Sequence, residues 1–279
     1  MPSNTLRPRL QLSLGALAVL GEELPSLGGR RLFAASCRES GAELRITLHP
    51  APPEGPSSTA LQERVARLRQ LAHPALAVPV GTGDLDGRPW VAEVVLRAPT
   101  AMQRLGDGGA LGVRQGILAL RGVTRAVASL HRAGMAHGGL DLDAVHITPS
   151  DVQIGGFAST PGNNQRADLD ALGPLAWAFF TGDLPDGPVG KLSDHRRGIP
   201  AGLDQLVSSL MAADPASRPV KAEAVLGVLD AFPTIQPSSI SSFLEGAGRG
   251  TRTPRAREAV LLLVLVGLSV LVSSLVLGH

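Results

Sequence analysis

The residues best equipped for chemistry gather in one short run, Met135 to Ile147, which reads MAHGGLDLDAVHI. It holds His137, Asp141, Asp143 and His146, and His131 lies just upstream. Imidazoles and carboxylates at this density are the raw material for proton transfer or for a metal site. The spacing favours neither. His131, His137 and His146 fall on a helix end, a loop and a strand, with no fourth ligand evident, so no zinc site is expected. Asp141 and Asp143 read as solvated loop carboxylates rather than as substitute bases or metal ligands. Cys37 stands alone, which leaves no disulfide framework and no cysteine metal site. The net charge is +2, with 26 basic residues scattered among 24 acidic ones rather than clustered beside aromatics, so nucleic-acid binding is not expected.

These residues need elements to hold them, and the chain changes character near its hundredth residue. Before it, short apolar runs at Arg30 to Ser36 and Ala42 to His49 flank a Gly-containing turn, as in a hairpin. A second hairpin is expected around Asp86-Gly87. Between them TALQERVARLRQLA places Leu61, Val65, Leu68 and Leu71 on one helical face. Near the N-terminus, LQLSLGALAVLG follows Arg7 and Arg9; it is read as a first strand, in preference to a signal-peptide core, because Gln11 and Ser13 interrupt it. After residue 100 the pattern is helical. Val113 to Gly134 carries Ile117, Leu120, Val123, Val127 and Leu130 in one stripe and ends on a capping glycine. Asp168 to Gly182 is apolar on nearly every side, as a buried central helix bent at Pro174 would be. Two further helices are expected within residues 202–219 and 221–232. Trp90 and Trp177 read as core residues.

Taken in order, LHRAGMAHGGLDLDAVHI, VQIGGFA, ADLDALGPLAWAFFTGDLP and LMAADPASRP resemble the motifs of a bacterial Ser/Thr protein kinase domain over roughly residues 10–232. The resemblance implies an α+β bilobal fold: an N-terminal tail at 1–9, a β-rich small lobe with one helix at 10–98 and a larger helical lobe at 99–232. It also implies which positions should do the chemistry, and most are replaced. The third-strand lysine position holds Thr47, and the glutamate position of the following helix holds Arg64 or, with a one-residue shift, the adjacent Glu63; the ion pair is absent under either register. In the catalytic loop, Gly139 stands at the aspartate position, Asp141 at the lysine position and Ala144 at the metal-binding asparagine position. Gly156 stands where the principal magnesium ligand would be. The positions that match are architectural: His137, Phe157, Asp168 and Arg218. Glu22 and Glu23 lie where a phosphate-cradling glycine-rich loop is expected, and only about ten residues separate Ala158 from Asp168, a short activation segment.

A chain of this kind is expected to be a catalytically inactive, kinase-like scaffold that takes no cofactor and binds a protein partner, such as a true kinase or a phosphoprotein. The alternative is an enzyme with residual ATP-dependent phosphotransfer. Two further expectations concern the end of the chain. Residues 233–258 read as a Ser-, Gly-, Pro- and Arg-rich linker, with Ser and Thr residues between Ser238 and Thr253 that a kinase could modify. Residues 259–277 run 19 positions without a charge and read as a transmembrane helix, with Arg252, Arg255 and Arg257 placing the preceding domain in the cytoplasm and the C-terminus outside.

Overall fold

The computed structural model describes residues 3–25, 29–52, 54–148, 151–157, 163–187 and 190–232. The small lobe is a five-stranded antiparallel sheet built from β1 (Ala18–Leu24), β2 (Arg31–Cys37), β3 (Glu43–Leu48), β4 (Gly81–Leu85) and β5 (Arg88–Val94), in the order β1-β2-β3-β5-β4. Both expected hairpins form. In the β4–β5 turn Asp86 and Gly87 take φ of 55° and 76°, the left-handed pair that a two-residue connection needs and that Asp-Gly supplies at little cost. The expected helix is α2 (Ser58–Gln70); Ser57 caps its start, and Leu61, Val65 and Leu68 are its buried face.

The N-terminus departs from expectation. Leu10, Leu12 and Leu14 suggest a strand by their alternation, but Leu6, Leu10 and Leu14 recur every four residues, and the helical period wins. The result is α1 (Ser3–Leu14), which straddles the boundary expected at residue 10. Leu6, Leu10 and Leu14 are buried while Leu12 is 80% exposed, an arrangement that a strand could not produce. The apolar stripe of α1 covers one face of the sheet, packing with Phe33, Leu44, Ile46, Leu48 and Trp90. The Trp90 indole N–H donates to Ser13 Oγ at 2.7 Å, and Ser13 Oγ donates to the Asp84 carbonyl at 2.8 Å. β1 begins only afterwards, at Ala18.

The larger lobe is helical: α3 (Ala101–Gly108), α4 (Val113–Arg132), α5 (Gln165–Thr181), α6 (Leu192–His195), α7 (Ala201–Leu210) and α8 (Ala222–Leu229), with a small hairpin of β6 (Val145–Ile147) and β7 (Val152–Ile154). Helix α4 ends as its sequence predicts, with Gly134 just beyond it at φ 66°. Helix α5 runs through Pro174 and is buried along most of its length, with Leu172, Ala176, Phe179 and Phe180 almost wholly inaccessible. Helix α3 is announced by a capping box between Thr100 and Gln103 that sequence reading passes over.

The fold class expected from the sequence joined this bilobal architecture to a transmembrane helix, and that part is corrected. Among the described residues no helix is long and apolar enough to cross a membrane. The expected span at 259–277 and linker at 233–258 lie outside the described residues.

Candidate functional site

Beneath the loop that follows α4 lies a buried carboxylate. Asp168, in the first turn of α5, is 1% exposed. Its Oδ2 accepts from the backbone N–H of His137 at 2.7 Å and sits 2.9 Å from His131 Nε2; its Oδ1 accepts from the Gly138 N–H at 2.8 Å. Burial alone would raise the Asp168 carboxyl, but the hydrogen bonds from His131, Gly138 and His137 outweigh it and hold the group below the usual carboxylate range. Gly138 takes φ 83°, which lets consecutive amides converge on one side chain.

His137 continues the network upward. Its Nε2 donates to the Gly155 carbonyl at 2.9 Å, and its ring meets Phe157 edge-on with centroids 4.8 Å apart. Burial pushes His137 below the ordinary imidazole value, so the ring is neutral. His137, Phe157 and Asp168 are thus brought together around the loop.

Above this hub is a cavity of about 550 Å³ lined by Gly139, Asp141, Asp143, Ala144, His146, Gly155 and Gly156 from the larger lobe, and by Arg30, Arg45, Glu93 and Val94 among others from the smaller. Gly139, Asp141, Ala144 and Gly156 are therefore brought together. Gly156 takes φ 81°, and a Cβ built on it would lie 3.9 Å from that of Ala144. The two positions where metal ligands would stand are neighbours, and they present a hydrogen and a methyl group. Asp141 is engaged locally: its Oδ1 accepts from the N–H of Asp143 at 3.0 Å and of Ala144 at 2.8 Å, shaping the turn. Among the described residues no three His, Cys, Asp or Glu side chains converge as a metal site.

Thr47 lies opposite Val91 across β3 and β5 and is 2% exposed; Val91 in turn packs on Leu61 of α2. Arg64 does something that spacing gave no sign of. Its guanidinium donates to the carbonyls of Ala136 and His137 at 2.9 and 3.0 Å, tying α2 to the loop. Glu23 forms a two-point ion pair with Arg31, at 2.6 and 2.5 Å, so its charge is balanced within the sheet. Arg218 has found a partner in Asp170, 3.0 Å away, which it shares with Arg166.

Sequence reasoning missed the Arg45–Glu93 pair in the cavity roof, at 3.3 Å with the Glu93 side chain only 4% exposed. The register that sets Arg45 against Glu93 could have revealed it, because facing residues of an antiparallel pair share a face.

No protein-family model matches the chain, and no curated protein matches it. Among solved structures it is similar to a crystal structure of Rad53 1–466 in complex with AMP-PNP, with a TM-score of 0.61 and 18% identity over 78% of this chain and 66% of that one. The fold is protein kinase-like. At 18% identity the likeness establishes the fold alone, and the chain spans just under two thirds of the Rad53 chain. The kinase-like lobes are residues of α1 to β5 and of α3 to α8, with the cavity described above at their junction.

Proposed function

We propose that this protein is a catalytically inactive kinase-like module that acts by binding a protein partner, such as a kinase or a phosphoprotein. The observation that carries the reading is the cavity floor, where Gly139, Ala144 and Gly156 lie together without one side-chain oxygen. Phosphoryl transfer depends on carboxylate and amide oxygens that orient the attacking hydroxyl and hold magnesium against the phosphates. Two positions outside the cavity lining agree: Thr47 offers a buried hydroxyl in place of a cation, and Arg64 donates through Nη2 to the loop backbone. What remains is a hydrogen-bonded frame that keeps a cleft in shape without equipping it for transfer.

A second reading, residual nucleotide-dependent transfer, draws on Asp141 and Asp143, which do line the cavity. Thermal unfolding of the full chain with ATP, with and without magnesium or manganese, separates the two. The module reading expects no metal-dependent rise in Tm. A rise that requires both nucleotide and metal favours the second reading and overturns the first.

A further inference from the structure

A second cavity, of about 500 Å³, lies in the larger lobe and shares no lining residue with the first. Its walls are the C-terminal end of α4 (His131, Arg132), the start of α5 (Gln165, Arg166, Leu169) and the approach to α8 (Val220, Lys221, Ala222, Glu223). The floor is apolar, with Leu169 and Ala222 buried, while Val220 stands 72% exposed on the wall. An accessible apolar wall beside a buried apolar floor suits an inserted side chain.

The rim is cationic. Arg166 and Arg218 share one carboxylate, Asp170, which leaves positive charge over. Arg132 faces Glu223 only at 4.0 Å, with both side chains more than half exposed, a contact worth little in water. Lys221 makes no ion pair among the described residues. The donors are also spread around the rim rather than converging on one point, and Arg166 commits Nε to Asp170 and Nη2 to the Pro215 carbonyl. Spread cations suit several carboxylates along a chain better than one compact phosphate, which calls for converging, bidentate donors.

We propose that this groove docks an acidic peptide segment of a partner protein, with an apolar side chain seated on Leu169, Val220 and Ala222 and flanking carboxylates facing Arg132, Arg166 and Lys221. The site is separate from the cleft, so stabilisation that requires both nucleotide and metal would overturn the proposed function and leave this inference standing, whereas failed peptide binding would do the reverse.

The test is fluorescence anisotropy of the full chain with a short labelled peptide of alternating Glu and Leu, beside Lys–Leu and Gln–Leu counterparts. The Glu–Leu peptide is expected to bind saturably, more tightly than either counterpart, and to weaken as salt rises. Arg132→Glu combined with Lys221→Glu should weaken it by about ten-fold or more. Val220→Asp should weaken it as well, while Arg38→Glu, on the small lobe, should not. All four positions are exposed, so circular dichroism of each variant should match the parent. Equal affinity for the Lys–Leu peptide, unchanged affinity in the double variant, or no saturable binding would each overturn the proposal.

Discussion

The hub around Asp168 and the cavity beside it both draw on the loop that follows α4, yet they have opposite characters. In the hub the Asp168 and His137 side chains are fully engaged: Asp168 takes two backbone amides and an imidazole, and His137 bridges to Gly155 and Phe157. On the cavity floor Gly139, Ala144 and Gly156 contribute backbone and one methyl group, beside the carboxylates of Asp141 and Asp143. The difference separates what holds a kinase-like shape together from what makes such a shape react. Buried donors left without acceptors cost stability, so the hub is constrained by folding itself. The cavity floor is constrained only by what it must bind.

The hub is the sharper side of the contrast, and breaking it should have the largest effect. Asp168→Ala strands the His137 and Gly138 amides and the His131 ring in a buried site, and is expected to cost about 3–5 kcal/mol in chemical denaturation. A variant as stable as the parent would show that the network is incidental. Next comes Arg64→Ala, which frees the Ala136 and His137 carbonyls at the junction of α2 and the loop. A loss of about 1–3 kcal/mol is expected, with faster hydrogen exchange at the Gly138 and Gly139 amides. Unchanged exchange there would mean that α2 does not hold the loop.

Acid should find the hub as well. His137 is buried with its pKa lowered, so its contribution is complete above its ordinary value near 6.5 and declines below it, as the unfolded ring takes a proton that the folded ring refuses. Asp168 is also lowered, so its contribution is present above its ordinary value near 3.8 and is lost as pH falls through the folded pKa. Both signs point the same way. The urea midpoint should fall on going from about pH 7 to pH 5 and fall again in stronger acid, and Asp168→Asn should lessen the second decline, to which the lowered carboxyls of Glu23, Asp204 and Asp214 also contribute. A midpoint that holds constant from neutral pH to pH 5 would contradict the neutral, buried assignment of His137.

Much of this architecture was legible because it rests on repeating patterns. The stripe of α4, the apolar run of α5 and the Asp86-Gly87 turn are local signals whose physical causes act within a few residues, and the structure follows them. The motifs also drew attention to His137, Phe157 and Asp168, which the structure brings together. Two kinds of information were not local. The run Leu10-Gln11-Leu12-Ser13-Leu14 satisfies a two-residue period by itself; only Leu6, on the preceding turn, and the sheet face waiting for it decide for a helix. Arg64 was visible as a replacement, but its carbonyl partners lie more than seventy residues away in the chain and belong to the backbone, which carries no side-chain signature. The Arg45–Glu93 pair was hidden for a similar reason, since it depends on strand register rather than on either strand alone.

The smallest effect expected is on the other side of the comparison. Gly139 is exposed, and its φ lies outside the left-handed region, so no backbone strain forbids a side chain there. The hydrogen bond that its backbone N–H donates to His137 Nδ1, at 3.3 Å, would survive substitution because every residue but proline keeps that donor. Gly139→Asp should therefore change stability by no more than about 0.5 kcal/mol, although it restores a carboxylate to the loop. It should not create phosphotransfer, because Ala144 and Gly156 would still present no side-chain oxygen beside it on the cavity floor. A fold that accepts this carboxylate without loss and gains no transferase activity would confirm that the loop's shape is held from below, by Asp168. A variant that unfolded would place Gly139 among the structural residues, and the division between hub and cavity floor would have to be drawn elsewhere.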